Sequence, residues 1–150
     1  MIADPTKAVR DGWIQLCPHS KVQQSGIDVC IESVKDIRYG HSISLPYELN
    51  YGRPYEFICH ELIRVPNNYV ALLIVRSTFN RQGAFITTGL YDNGFAGKVG
   101  GVLHIMARSI FLDENQRIGQ VIFMQSESLA QYDGQYQTRS DDGKNKVIET

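Results

Sequence analysis

From Ile14 onward, short runs rich in Val, Ile, Phe and Tyr return again and again between turn-forming clusters, and this recurrence limits the fold more than any other feature. The runs are IDVCI (27–31), YEFICHEL (55–62), YVALLIV (69–75), KVGGVLHIMA (98–107) and QVIFMQSE (120–127). β-Branched and aromatic residues suit a pleated, half-buried surface. Between the runs stand Gly40, Asn50 to Pro54, Pro66-Asn67-Asn68, Asp92-Asn93-Gly94 and Asp113 to Gln116, residue types that accept tight backbone geometry. Many short strands at near-regular spacing predict an all-β jelly roll or barrel. One short helix is expected from Pro5 to Gly12, with Asp4 as N-cap, Pro5 at the first helical position and Gly12 at the stop.

A chain of 150 residues with 43% hydrophobic and 21% charged residues fits one compact domain. At this size folding buries roughly two thirds of the surface the unfolded chain would expose, so no disulfide or metal staple is required. The β domain is expected over 1–131. Residues 132–150 lose the aliphatic pattern until Val147-Ile148 and read as a mobile C-terminal tail. The net charge of -1 argues against coating nucleic acid, which demands clustered Lys and Arg against many phosphates. The start, MIADPTKAVRDGW, lacks an apolar signal run, and no stretch approaches the roughly 20 apolar residues of a membrane span. The expectation is a cytoplasmic protein with neither membrane nor nucleic acid as partner.

Cys17, Cys30 and Cys59 are odd in number and too far apart for a CxxC motif, so they read as reduced thiols. His19, His41, His60 and His104 show no metal spacing such as HxxxH and read as structural or surface residues.

Chemistry concentrates in RSTFNRQG (76–83) and TTGLYDNGFAGKVGGVL (87–103). The first gathers Arg76, Arg81, Ser77 and Thr78 at the end of an apolar strand. The guanidiniums could hold phosphate oxygens bidentately, the hydroxyls could add contacts, and Gly83 would let backbone amides approach. Taken alone, the stretch is also what an ordinary solvated loop after a buried strand looks like. In GLYDNGFAG (89–97), Asp92 precedes a glycine-bearing turn that reads as a hairpin tip, with Asn93-Gly94 able to adopt positive φ. A carboxylate held there beside a pocket is a candidate general base. On local sequence, Asp92 is equally a plain turn residue and Phe95 equally a core residue.

SGID (25–28), RSTFNRQG (76–83), GLYDNGFAG (89–97) and RIGQVIF (117–123) stand in the order and approximate spacing of the first four motifs of the dUTPase and dCTP deaminase superfamily. YDGQYQ (132–137) is similar to the C-terminal segment of its deaminase and archaeal dUTPase branch. The chain resembles that superfamily over roughly residues 9–139. The resemblance implies a distorted jelly-roll (β-clip) subunit, a homotrimer, and three active sites at subunit interfaces closed by the tail. It implies that Asp92 activates a water that attacks the α-phosphorus of dUTP, giving dUMP and pyrophosphate. It assigns Arg76, Ser77, Thr78, Arg81 and Gln120 to the phosphates and the backbone of Gly89, Leu90 and Tyr91 to the uracil edge. Phe95 would pack under the deoxyribose, and Gly97, Tyr132, Gln135 and Tyr136 would complete the substrate site. The implied cofactor is Mg2+, held mainly by the phosphates and water, with no protein ligand cluster.

Deaminases of this superfamily carry a catalytic Glu in the pattern G-x-[IV]-x-L-E. Counting from Gly97, that position is Val102, and no Glu or Asp lies between Asp92 and Asp113. Val102 and Leu103 cannot shuttle a proton, and His104 reads as a core or interface residue, so the pattern favours the hydrolase branch, nearest the archaeal-type dUTPases. Two departures remain. The glycine-rich, arginine-containing fifth motif of other dUTPases is not visible, and Gln135 stands where the related tail commonly has a phosphate-binding Lys. The alternatives are a dCTP deaminase or another pyrimidine deoxynucleotide hydrolase, or a non-catalytic nucleotide-binding regulator.

Overall fold

A computed structural model describes residues 1–127 and 130–137. The chain is mostly β, 49% strand and 8% helix, in a near-closed, barrel-like sheet. The N-terminal helix α1 (Pro5–Arg10) starts where expected: the Asp4 carboxylate accepts a hydrogen bond from the Thr6 amide at 2.8 Å. It stops before Gly12, which takes a φ of 75° and sends the chain into the sheet.

The strands are β1 (Ile14–Gln15), β2 (Lys21–Val22), β3 (Ile27–Asp36), β4 (His41–Ile43), β5 (Tyr47–Leu49), β6 (Pro54–Arg64) and β7 (Tyr69–Val75). After the one-turn helix α2 (Ser77–Arg81) come β8 (Ala84–Thr87), β9 (Ala96–Ile105), β10 (Ile110–Leu112) and β11 (Arg117–Gln125). The main sheet runs β7-β11-β3-β6-β9-β8, with β1 on β6 and with β2 and β4 on β3, while β5 and β10 form a separate pair. Side chains converge inside: Ile27, Val29, Ile31, Tyr55, Phe57, Ile63, Leu103, Ile105, Ile118 and Val121 are buried. Trp13 seals one end, its ring centroid 4.7 Å from that of Tyr69 and 5.5 Å from that of Phe123.

Two local irregularities interrupt the regular pattern. The register of β6 on β9 jumps from Ile58↔Gly100 to Leu62↔Lys98, so Cys59, His60 and Glu61 oppose Val99 alone. This bulge leaves Glu61 fully buried. The stretch RSTFNRQG, read from sequence as an irregular loop, contains α2, held by the burial of Phe79. Among the described residues no helix is long and apolar enough to cross a membrane.

Candidate active site

A cavity forms where β8 and β9 part. Their pairing ends at Thr87↔Val102, and the loop 88–95 opens away from β9. Tyr91 anchors it. Its backbone exchanges hydrogen bonds with Ala71 of β7 at 2.9 and 3.0 Å. Its hydroxyl donates to the Gly100 carbonyl at 2.8 Å and accepts from the Gly100 amide at 3.0 Å. The tip is a turn in which the Phe95 amide donates to the Asp92 carbonyl at 3.0 Å and Gly94 takes a φ of 83°. Of the Asn93-Gly94 pair, both read from the sequence as able to adopt positive φ, only the glycine does so, and the tip is a wider loop than a two-residue hairpin.

The resulting cavity holds about 430 Å³ and is lined by Gly89, Leu90, Tyr91, Phe95, Tyr132 and Tyr136, all singled out in the sequence. Phe95, only 4% exposed, packs between Tyr91 and Tyr132 at centroid distances of 5.1 and 5.5 Å. Phe95 is thus a buried core residue that also lines the cavity. The beginning of the tail latches onto the turn. The Tyr132 amide donates to the Asn93 carbonyl at 2.7 Å, Gln137 Nε2 donates to the Gly94 carbonyl at 2.9 Å, and Gln137 Oε1 accepts from the Ala96 amide at 2.9 Å.

Arg76 lies in a second cleft, also about 430 Å³, with Lys21, His19, Ser20 and Arg117. The two cavities share no lining residue. Arg76 donates from Nη1 to the Arg117 carbonyl at 3.2 Å. Arg117 in turn donates to the nearly buried Asp28 of SGID at 2.9 Å, and Gln23 and Gln120 also donate to that carboxylate at 2.9 and 3.4 Å. Arg117→Ala is expected to lower stability by about 2–4 kcal/mol, read as an earlier urea midpoint, because it strands a buried charge. An unchanged midpoint would show that the two glutamines suffice.

The remaining candidates disperse. Ser77, Thr78 and Arg81 stand exposed on α2. Asp92 is exposed on the turn and lines neither cavity. Gly97 sits within β9 opposite Ile63, and Gln135 is exposed, both outside the cavity lining. Residues 128, 129 and 138–150, the last including most of the expected tail, lie outside the described residues.

Several cavity residues escaped the sequence reading because strand pairing, not chain proximity, delivers them. Glu56 of β6 is the register partner of Val102 and lines the hairpin cavity with Thr87, Thr88 and Lys98. A carboxylate thus borders the cavity one strand away from the position where a deaminase Glu would stand. His104 is neither core nor buried: it accepts or donates at 2.9 Å with Thr87 Oγ1 and stacks on the exposed Phe85 ring. Burial, reinforced by the charge of Glu61, pushes the thiols of Cys30 and Cys59 well up, so neither is a nucleophile near neutral pH.

Comparison with known proteins places this geometry. Residues 47–126, just over half the chain, match the dCTP deaminase-like family model, and the chain belongs to that family. A probable deoxyuridine 5'-triphosphate nucleotidohydrolase of Methanothermobacter thermautotrophicus is 27% identical over 139 residues, covering 91% of this chain and 93% of the relative. The dCTP deaminase of Hyperthermus butylicus is 33% identical over 90 residues, 57% of this chain and 51% of that protein. The fold is similar to EIAV dUTPase, with a TM-score of 0.61 at 21% identity over 81% of this chain and 93% of that one. It is also similar to the deaminase of Agrobacterium tumefaciens, with a TM-score of 0.68 at 16% identity over 81% of this chain and 46% of that one.

Proposed function

We propose that the protein is a dUTP diphosphatase that releases dUMP and pyrophosphate. The observation that carries this reading is the hairpin cavity, with its aromatic wall and the first tail residues latched onto its turn. Its volume suits one nucleoside-sized ligand. The backbone of Gly89 and Leu90 offers donors and acceptors to a uracil edge, while that of Tyr91, engaged by Ala71, holds the segment in place. Because a wrong base would leave buried polar groups unpaired, such a site discriminates strongly. Phe95 presents an apolar face to the sugar, which disfavours a 2′-hydroxyl, and Tyr132 and Tyr136 wall the cavity beside it.

The phosphate set, Arg76, Ser77, Thr78, Arg81 and Gln120, lies apart from this cavity within one chain. We therefore infer a homotrimer of β-clip subunits in which the Arg76 cleft of one protomer faces the hairpin cavity of another. Asp92, exposed at the hairpin turn, then reaches the junction and orients the attacking water. Positioning and charge stabilisation carry most of the chemistry in phosphoryl transfer. The Arg76 cleft brings Lys21, Arg76 and Arg117 together with one carboxylate, Glu114. Those residues fit a magnesium ion that arrives on the substrate's phosphates and neutralises their charge.

The test is a side-by-side panel of dUTP, dCTP, dTTP and UTP with magnesium, following pyrophosphate and ammonia. Pyrophosphate from dUTP, with little from UTP, is the expected result. Glu56 beside Val102 favours a second reading, a cytosine nucleotide substrate, because a carboxylate accepts from an exocyclic amine. Ammonia from dCTP with no turnover of dUTP would replace the first reading with the second. Binding of dUTP without any turnover would instead mark a regulator.

A further inference from the structure

We propose that Cys17, Cys30 and Glu61 form a site for a thiophilic divalent cation of the zinc class, independent of the nucleotide site. Twelve residues separate the two cysteines and thirty separate Cys30 from Glu61, so no sequence motif announces the group. Strand pairing assembles it. β3 and β6 lie side by side, and the β6 bulge accompanies a fully buried Glu61 beside Cys30, whose amide donates to both carboxylate oxygens at 3.1 and 3.0 Å. Cys17, in the loop before β2, reaches the same carboxylate, Sγ to Oε1 3.3 Å.

The three candidate ligand atoms all lie within 4.8 Å of one another. Tetrahedral zinc, with bonds of about 2.3 Å to sulfur and about 2.0–2.2 Å to oxygen, spaces its ligand atoms roughly 3.3–3.8 Å apart. The Cys17 to Glu61 distance already meets that spacing, and a small contraction brings in Cys30. Ser20 Oγ, 2.6 Å from Glu61 Oε1, stands at hydrogen-bond and not co-ligand distance, so a water would complete four-coordination while Ser20 orients the carboxylate.

Charge supplies the independent argument. Glu61 is fully buried, and among the described residues no Lys, Arg or His comes within ion-pair reach of it. Its partners are the thiol of Cys17, the hydroxyl of Ser20 and the amide of Cys30, none of which carries a charge to match it. Buried charges in proteins are ordinarily paired or coordinate metals. A dication bound by both sulfurs and the carboxylate gives that carboxylate a cation to coordinate and releases the two thiol protons to solvent, so the net charge of the group stays at about -1 while each anionic atom gains a direct partner. Cys17 is only partly buried, which gives the ion a way in. A Cys17–Cys30 disulfide, by contrast, would leave the Glu61 charge unmatched.

The test uses the full, untagged chain, stripped with chelator under reducing conditions and titrated with cobalt(II) and then zinc. One equivalent should bind, with a thiolate-to-cobalt charge-transfer absorption that zinc bleaches, and saturating zinc should raise the thermal midpoint. Cys17→Ser, in a partly exposed loop, and Cys30→Ala should each lose both the absorption and the thermal shift while keeping the β-sheet circular dichroism. If Cys30→Ala fails to fold, Cys17→Ser decides the matter alone. His19→Asn, in the same loop but outside the group, should bind as the parent does. Absence of the absorption in the folded parent, its persistence in Cys17→Ser, or isolation of the reduced-handled protein as a Cys17–Cys30 disulfide would each overturn the proposal.

Discussion

Asp92→Asn is expected to lower kcat for dUTP by about 10²- to 10⁴-fold, the range that a positioned general base contributes. The fold should not register the change. The Asp92 side chain is exposed and makes no hydrogen bond or ion pair among the described residues, and its part in the turn is a backbone carbonyl that Asn retains. Asn keeps the size and most of the geometry and removes the basicity. Pyrophosphate release at saturating dUTP, measured beside the thermal midpoint, separates chemistry from folding. Turnover within a few-fold of the parent at an unchanged midpoint would remove Asp92 from the reaction and return it to a turn residue.

The second large effect is structural. Gly100→Ala should cost about 1–3 kcal/mol, because a Cβ there would meet the Phe57 carbonyl oxygen at 2.6 Å and the backbone has to yield. The neighbouring Gly101 is as tightly held, its Cβ direction leading to the Thr87 carbonyl at 2.5 Å. For a domain of this size the loss corresponds to a midpoint lower by roughly 2–12 °C. Activity should fall further than stability alone explains, since Gly100 carries both hydrogen bonds to the Tyr91 hydroxyl and lines the cavity. A variant with a parental midpoint would mean that β6 and β9 part without penalty.

Local chemistry was readable where one segment suffices. YVALLIV is β7 to the residue, and Asp4-Pro5 starts α1, because apolar runs and caps are properties of a few neighbours. The hairpin half of the candidate site was readable for the same reason: Gly89, Leu90, Tyr91 and Phe95 lie within one short segment. What was not readable depends on register. The short helix α2 has Ser, Thr and Phe in it and no side-chain cap, so propensity argues against it, and only the burial of Phe79 holds it. Glu56 enters the cavity because it faces Val102, and Glu61 reaches Cys30 because β6 bulges. Both outcomes are pairings between distant segments that no local pattern encodes. The width of the loop 88–95 belongs with them, since the bridge of Tyr91 to Ala71 sets it.

The same bridge ties the hairpin to a rigid element. β7 holds the hairpin at Ala71 and runs straight into Arg76, with seven consecutive pairs to β11 from Gly119↔Val75 to Gln125↔Tyr69 fixing its register. Five residues of strand span roughly 16 Å. The strand therefore works as a yardstick: the hairpin cavity and the cationic cleft stand a set distance apart, and no side-chain rearrangement shortens it.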